Sequence, residues 1–449
     1  MRRVGLAFLA ATALCTVNVQ AEDWPQWRGP DGRRISTEQN LPVSWSRDAG
    51  VAWRTPLNGL GVSSPIVVGN RVFLTQQRGR GQLRPGGHPQ LVRGGGAAPD
   101  RPLGGERVDG RGDEVIFMVS AFDQTDGQLL WEFELPADGD QPLGHLKSNM
   151  ASPSAASDGE LVFGWFATGQ IVALSLDGEP LWQRHLARDY GPYEIVWGHS
   201  SSPVLYQGLL ILQSDHESGA YILALDAATG EERWRADRGQ NLRSFSTPLI
   251  VPGPAGDELV VNARAGLDGY NPTTGEWLWH ADGLNDYPVP SATHDEDGVI
   301  YTSRGHRAGP YLALRPGGRG VVDETHLVWK VETGAPYISS VLYYDGLVYM
   351  ANGGGIVTAV DAASGDRVWQ DRIGGVFSAT PLAGDEKVYL FSETGETVVL
   401  AAGSTLSILA RNDLGEPVVS SRGRGAGPLA AEAPRQGKPL SPWRVGPVE

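Results

Sequence analysis

Seven tryptophans, Trp53, Trp131, Trp182, Trp234, Trp279, Trp329 and Trp369, each close a short strand-like run that follows a Gly-bearing turn. After the first interval they recur every 40–52 residues, by subtraction of their numbers. A period of that length built from strands fits one fold, the β-propeller, with one four-stranded blade per repeat. The expectation is therefore an all-β chain. A propeller is a scaffold that hosts unrelated activities, so the period constrains fold far more than function.

Each repeat follows one grammar. A Ser/Thr-Pro element opens it, as in Ser63-Ser64-Pro65, Ser152-Pro153, Ser201-Ser202-Pro203, Ser246-Thr247-Pro248 and Ala379-Thr380-Pro381. Two apolar strands follow, then an Asp-x-x-x-Gly turn leads into the tryptophan strand, most clearly from Asp226 to Trp234 and from Asp361 to Trp369. Asp bonds the backbone two residues on, and Gly takes the positive φ that reverses the chain. The tryptophan is expected to pack between neighbouring blades, which makes all seven structural.

Complete repeats run over about 60–135, 149–186, 199–237, 243–282, 287–332, 337–373 and 375–414 by this spacing. Val51 to Leu57 is an outer strand with no blade before it, so ring closure would pair it with strands from the C-terminus and remove exposed edges. That makes eight blades, the last incomplete or disturbed. After Ser421 the grammar fails in a run of Gly, Arg, Ala and Pro. The organisation read from the chain is a signal peptide over 1–21, a lead-in segment over 22–50, a propeller over 51–421 and an irregular tail over 422–449. A shifted reading frame near Ser421 would account for the tail.

The signal-peptide assignment rests on Arg2 and Arg3, the apolar run Val4 to Val17, and the small-residue site Val19-Gln20-Ala21. The run is shorter than the ~18–20 residues that span a bilayer, so the expected product is exported to the periplasm or beyond, with no transmembrane segment. Its single cysteine, Cys15, lies in the signal, which leaves the mature chain without thiols or disulfides. The net charge of −15 argues against a nucleic-acid partner. Within the propeller, residues 78–112 form a Gly- and Arg-rich loop insert carrying Arg78, Arg80, Arg84, Arg93, Arg101, Arg107 and Arg111.

The stretch Asp23-Trp24-Pro25-Gln26-Trp27-Arg28-Gly29-Pro30 ahead of these blades, with the Asp-Ala-x-(Thr/Ser)-Gly-x-x-x-Trp turns, resembles the exported PQQ-like β-propeller repeat proteins. Asn412-Asp413-Leu414-Gly415-Glu416-Pro417 fits the same pattern, and the likeness covers roughly Asp23 to Ser421. It implies the fold. For function it leaves two directions, because the repeat occurs in quinoprotein dehydrogenases and in non-catalytic propellers similar to the outer-membrane assembly lipoprotein.

A quinoprotein, by that resemblance, needs PQQ, a calcium ion on the axis, a catalytic Asp, and faces that sandwich the quinone. The larger alcohol-oxidising members cover one face with a disulfide between adjacent cysteines, which this chain cannot build. No haem attachment motif, P-loop, nucleophile elbow or zinc spacing is present. The polar candidates for a channel mouth are His145, Lys147 and Asn149, then His199 with Asp215, His216 and Glu217, and Arg304 with His306. His beside carboxylates can bind a divalent metal or serve as acid and base, and turn hydrogen bonding is the plainer role. The sequence thus favours a monomeric, cofactor-free binding scaffold for a protein or envelope ligand. A PQQ- and calcium-dependent oxidoreductase and a carbohydrate-active propeller enzyme are the alternatives.

Overall fold

The computed structural model describes residues 22–79, 81, 114–142, 148–195, 198–217, 219–240, 242–264, 266–282, 288–305 and 309–415, with the backbone of Pro428–Glu432 and Arg444–Val445. Residues 1–21, read above as a signal peptide, nearly all of the Arg-rich insert, His145, Lys147 and His306 lie outside the described residues. What is described is an all-β propeller with one short helix, Leu186–Tyr190.

Blade 3 shows the plan. Val204–Tyr206, Leu209–Ser214, Ala220–Asp226 and Glu232–Gly239 pair antiparallel in chain order, and the two middle strands are almost entirely buried. The same order recurs in sheets spanning 66–136, 156–185, 249–282, 293–331, 342–372 and 382–413, here blades 1, 2, 4, 5, 6 and 7. Val51–Pro56 pairs antiparallel with Pro428–Glu432 in a three-stranded sheet. The described residues thus hold seven sheets of at least four strands and this shorter one.

Two devices join blade to blade, and both follow from the sequence grammar. The first is the tryptophan. Trp131, Trp182, Trp234 and Trp329 each donate their indole N–H to a carbonyl in the turn of the next blade, at 2.8, 3.0, 3.1 and 2.8 Å. Trp53 does the same to Gln124 at 2.8 Å and Trp369 to Gly403 at 3.0 Å.

Trp279 departs from this rule. Blade 5 has the longer stretch 315–326 where the others have a short turn, so no turn carbonyl is offered there. Trp279 instead donates to buried Glu258 of its own blade at 2.7 Å. Gly320–Val321 of that insert adds a parallel fifth strand beside Trp279 and His280.

The second device explains the recurring Ser/Thr-Pro element. The amide of Ser64 donates to the hydroxyl of Ser154 at 2.8 Å, that of Ser154 to Ser202 at 3.0 Å, and that of Ser202 to Thr247 at 3.0 Å. Thr247 continues to Ser291 and Ser291 to Ser340, each at 2.9 Å. Each hydroxyl satisfies an amide of the preceding blade, so a girdle of hydrogen bonds runs just ahead of the innermost strands of six blades.

The lead-in segment then runs along the inside of the ring. Trp24 pairs both ways with Val67 of blade 1, Pro25 accepts the Ser157 amide of blade 2, and Gln26 accepts that of Leu205 in blade 3. Arg28, buried at 1% exposure, donates to the carbonyls of Ala292 at 2.5 Å and Val341 at 3.2 Å, just ahead of blades 5 and 6. Ser36 donates to Ala383 of blade 7 at 2.8 Å. The segment follows this path because the inner edges of innermost strands carry unpaired backbone groups that need partners.

Candidate functional site

In an antiparallel blade the residues after the second strand lie beside those ahead of the first. This brings Asp215, His216 and Glu217 to the same end of blade 3 as His199. His199 and His216 sit among aromatics: the His199 ring centroid is 3.9 Å from that of Trp165 and 5.7 Å from Tyr193, and His216 lies 5.3 Å from Tyr193. Burial first, and then the neighbouring His216, lower the His199 pKa to about 3, so its ring is neutral. Its Nε2–H donates to the carbonyl of Ser201 at 3.1 Å.

Asp215 points the other way, into a charged relay that ends at the rim. Its carboxylate and the Arg238 guanidinium are both wholly buried, 2.7 Å apart. Arg238 also reaches Asp268 at 3.0 Å and the Tyr270 hydroxyl at 2.6 Å. Asp268 in turn holds His280 Nδ1 at 2.8 Å. Burial pushes Asp215 up despite Arg238. Burial works against the charge on Arg238 as well, but Asp215, Tyr270 and Asp268 outweigh it and raise its pKa. Burial also opposes ionisation of Asp268, where the His280 hydrogen bond and then the Arg238 charge prevail and lower it. That hydrogen bond is the leading cause of a raised pKa on His280.

The remaining candidates have local partners. Glu217 lies 2.9 Å from Arg243, and its amide donates to the Glu194 carbonyl at 2.9 Å. Asn149 closes a turn, accepting the Ala151 amide at 3.0 Å and donating to Leu60 at 3.2 Å. The Arg304 side chain packs on Gly309.

Calcium takes six to eight oxygens from convergent carboxylates and amides. Among the described residues no group of three or more His, Cys, Asp or Glu side chains is placed to hold a metal ion. The carboxylates of Asp215 and Asp268 both engage Arg238.

Asp215 was visible in the sequence, but its partner Arg238 and, beyond it, Asp268, Tyr270 and His280 were not. The available signal was Arg238 itself. It shares the inward phase of Trp234 and Ala236 by the two-residue period of a strand, where a charge demands a buried partner.

Residues 117–286 and 306–420 match the family described as outer membrane protein assembly factor BamB. A curated relative of that name from Yersinia pestis is 22% identical over 271 residues, 56% of this chain. The match spans 61% of that relative's length. Among solved structures, the quinohemoprotein alcohol dehydrogenase from Comamonas testosteroni superposes with a TM-score of 0.60 at 15% identity, covering 88% of this chain and 74% of that one. BamB from Moraxella catarrhalis gives a TM-score of 0.46 at 15% identity, over 76% of this chain and 93% of its own. At such identities the structural likeness is one of fold. No helix among the described residues is long and apolar enough to cross a membrane. With the family match running over more than half of its length, the chain belongs to the PQQ-like propeller family described as outer membrane protein assembly factor BamB.

Proposed function

We propose that this chain is an exported, monomeric and non-catalytic propeller that binds a protein partner at the cell envelope without a quinone. The observation that carries the reading is an arc of exposed apolar side chains on the outer strands. Leu130, Leu181 and Val368 each precede a blade tryptophan and are 46%, 56% and 37% exposed. In blade 7, Ala410 takes the tryptophan's register against Val399, and Leu409 before it is 44% exposed. With exposed Ala52 on the Val51–Pro56 strand, the arc covers blades 6 and 7, the three-stranded sheet, and blades 1 and 2. Blade 3 has Arg233 at this position, and in blade 4 the equivalent Leu278 is buried. Apolar groups repeated at one rim position suit a protein surface better than a small substrate.

The family's assembly role supports the same direction. So does the Asp215 relay, whose charges are spent on one another. The test is an equilibrium titration of the purified chain with PQQ and calcium, following melting temperature and quinone absorbance together. The reading expects no saturable change. Calcium-dependent stabilisation with dye-linked turnover of an alcohol or sugar would replace it with the oxidoreductase.

A further inference from the structure

We propose that the open pocket between the outer strand of blade 3 and the last two strands of blade 4 binds a neutral saccharide, stacked on Trp277. The pocket has a volume of about 450 Å³ and is walled by Trp277, His280, Asp268, Tyr270, Arg238 and Asp237, among others. It lies away from the apolar arc, so it stands independently of the scaffold reading.

Trp277 is the first indication. Its side chain is 48% exposed, whereas the blade tryptophans Trp53, Trp234 and Trp279 are buried. Trp277 sits on a strand in register with Tyr270, which holds its backbone in place while much of the ring stays in water. A large aromatic group held at the surface in this way is ready to bind, because little freedom is lost when a ligand covers it.

The polar groups indicate which ligand. Asp268 fixes His280 through Nδ1, which leaves Nε2 as the ring nitrogen available to the pocket. Arg238 lies in the wall with its guanidinium wholly buried, so it sets the charge of the pocket without reaching a ligand. Its one positive charge lies between Asp215 and Asp268, so the lining has no surplus of positive charge to attract a phosphate or carboxylate.

A pyranose meets all of these conditions. Its C–H face carries partial positive charge toward the indole face, and its hydroxyls both donate and accept. An amino-sugar glycan and a hexose glycan share that chemistry, so the probes must separate them.

The test is calorimetric titration and proton saturation transfer on the whole chain. The probes are the β-1,4 tetramer of N-acetylglucosamine and the α-1,4 tetramer of glucose, with a neutral tetrapeptide as the control. Saturable binding of either sugar is expected, and the preferred one identifies the source. Trp277→Ala should weaken it by about tenfold or more, with Trp277→Phe intermediate because a smaller ring keeps part of the stack. His280→Ala should also weaken it, compared where the variant is fully folded because it loses the Asp268 contact, and both Trp277 variants should keep the wild-type melting profile. Binding of neither sugar, affinity unchanged in Trp277→Ala or Trp277→Phe, or tighter binding of the peptide at this pocket would overturn the proposal.

Discussion

Trp182 lies flat against Gly230 of the following blade, so closely that a Cβ on that glycine would meet the indole at 2.7 Å. Gly230 also has a φ of +72°, a conformation that side chains rarely adopt. The turn and the tryptophan therefore form a single joint between blades 2 and 3. Gly230→Ala should cost about 2–5 kcal/mol, combining backbone strain with overpacking. Trp182→Ala should cost about 3–5 kcal/mol by leaving a cavity. In urea unfolding, the double variant should lose less than the sum of the two. Strict additivity would show that the two residues do not act as one joint.

The lead-in segment depends on Arg28. Burial, reinforced by the charge of Arg34, disfavours its ionised form and lowers its pKa to about 9, yet its two carbonyl partners leave it no other place. Arg28→Ala strands both carbonyls and should cost about 2–5 kcal/mol. It should also make residues 22–36 the first site of limited proteolysis. If that stretch remains protected in the variant, Trp24 and Ser36 hold it without Arg28.

The Asp268–His280 contact sets a pH window. His280 is raised above 6.5, so its contribution is complete below 6.5 and is lost as pH rises through the higher folded value. Asp268 is held below 3.8, so its contribution is present above 3.8 and is lost as pH falls through the lower folded value. The contact is strongest between these limits. His280→Gln should remove the alkaline decline in melting temperature while leaving the acid limb in place. An alkaline limb identical to wild type would assign that decline to another group.

Much of the fold was legible because it repeats. The tryptophan period and the Asp-x-x-x-Gly turns encode a local joint, and copies of a local joint show in one dimension. The Ser/Thr-Pro element was equally visible, but its reason was not. The acceptor of each amide sits a whole blade away, as Ser202 does from Ser154. Closure by the C-terminus was legible from the orphan strand at Val51, but its partner Pro428–Glu432 was not, since it lies in a stretch without β periodicity. At the candidate site, adjacency in sequence grouped Asp215 with His216 and Glu217. Strand alternation sends neighbouring side chains to opposite faces, so Asp215 joins Arg238 and Asp268 while His216 joins Tyr193.

The central claim is that the apolar arc is where a partner binds. The most direct measurement is in-cell photocrosslinking with a benzophenone amino acid placed singly at Leu130, Leu181, Val368, Leu409 and, as the off-arc position, Arg233. The account predicts one shared adduct from the arc positions and none from Arg233. Adducts missing along the arc in folded, exported protein, or equally strong at Arg233, would contradict it.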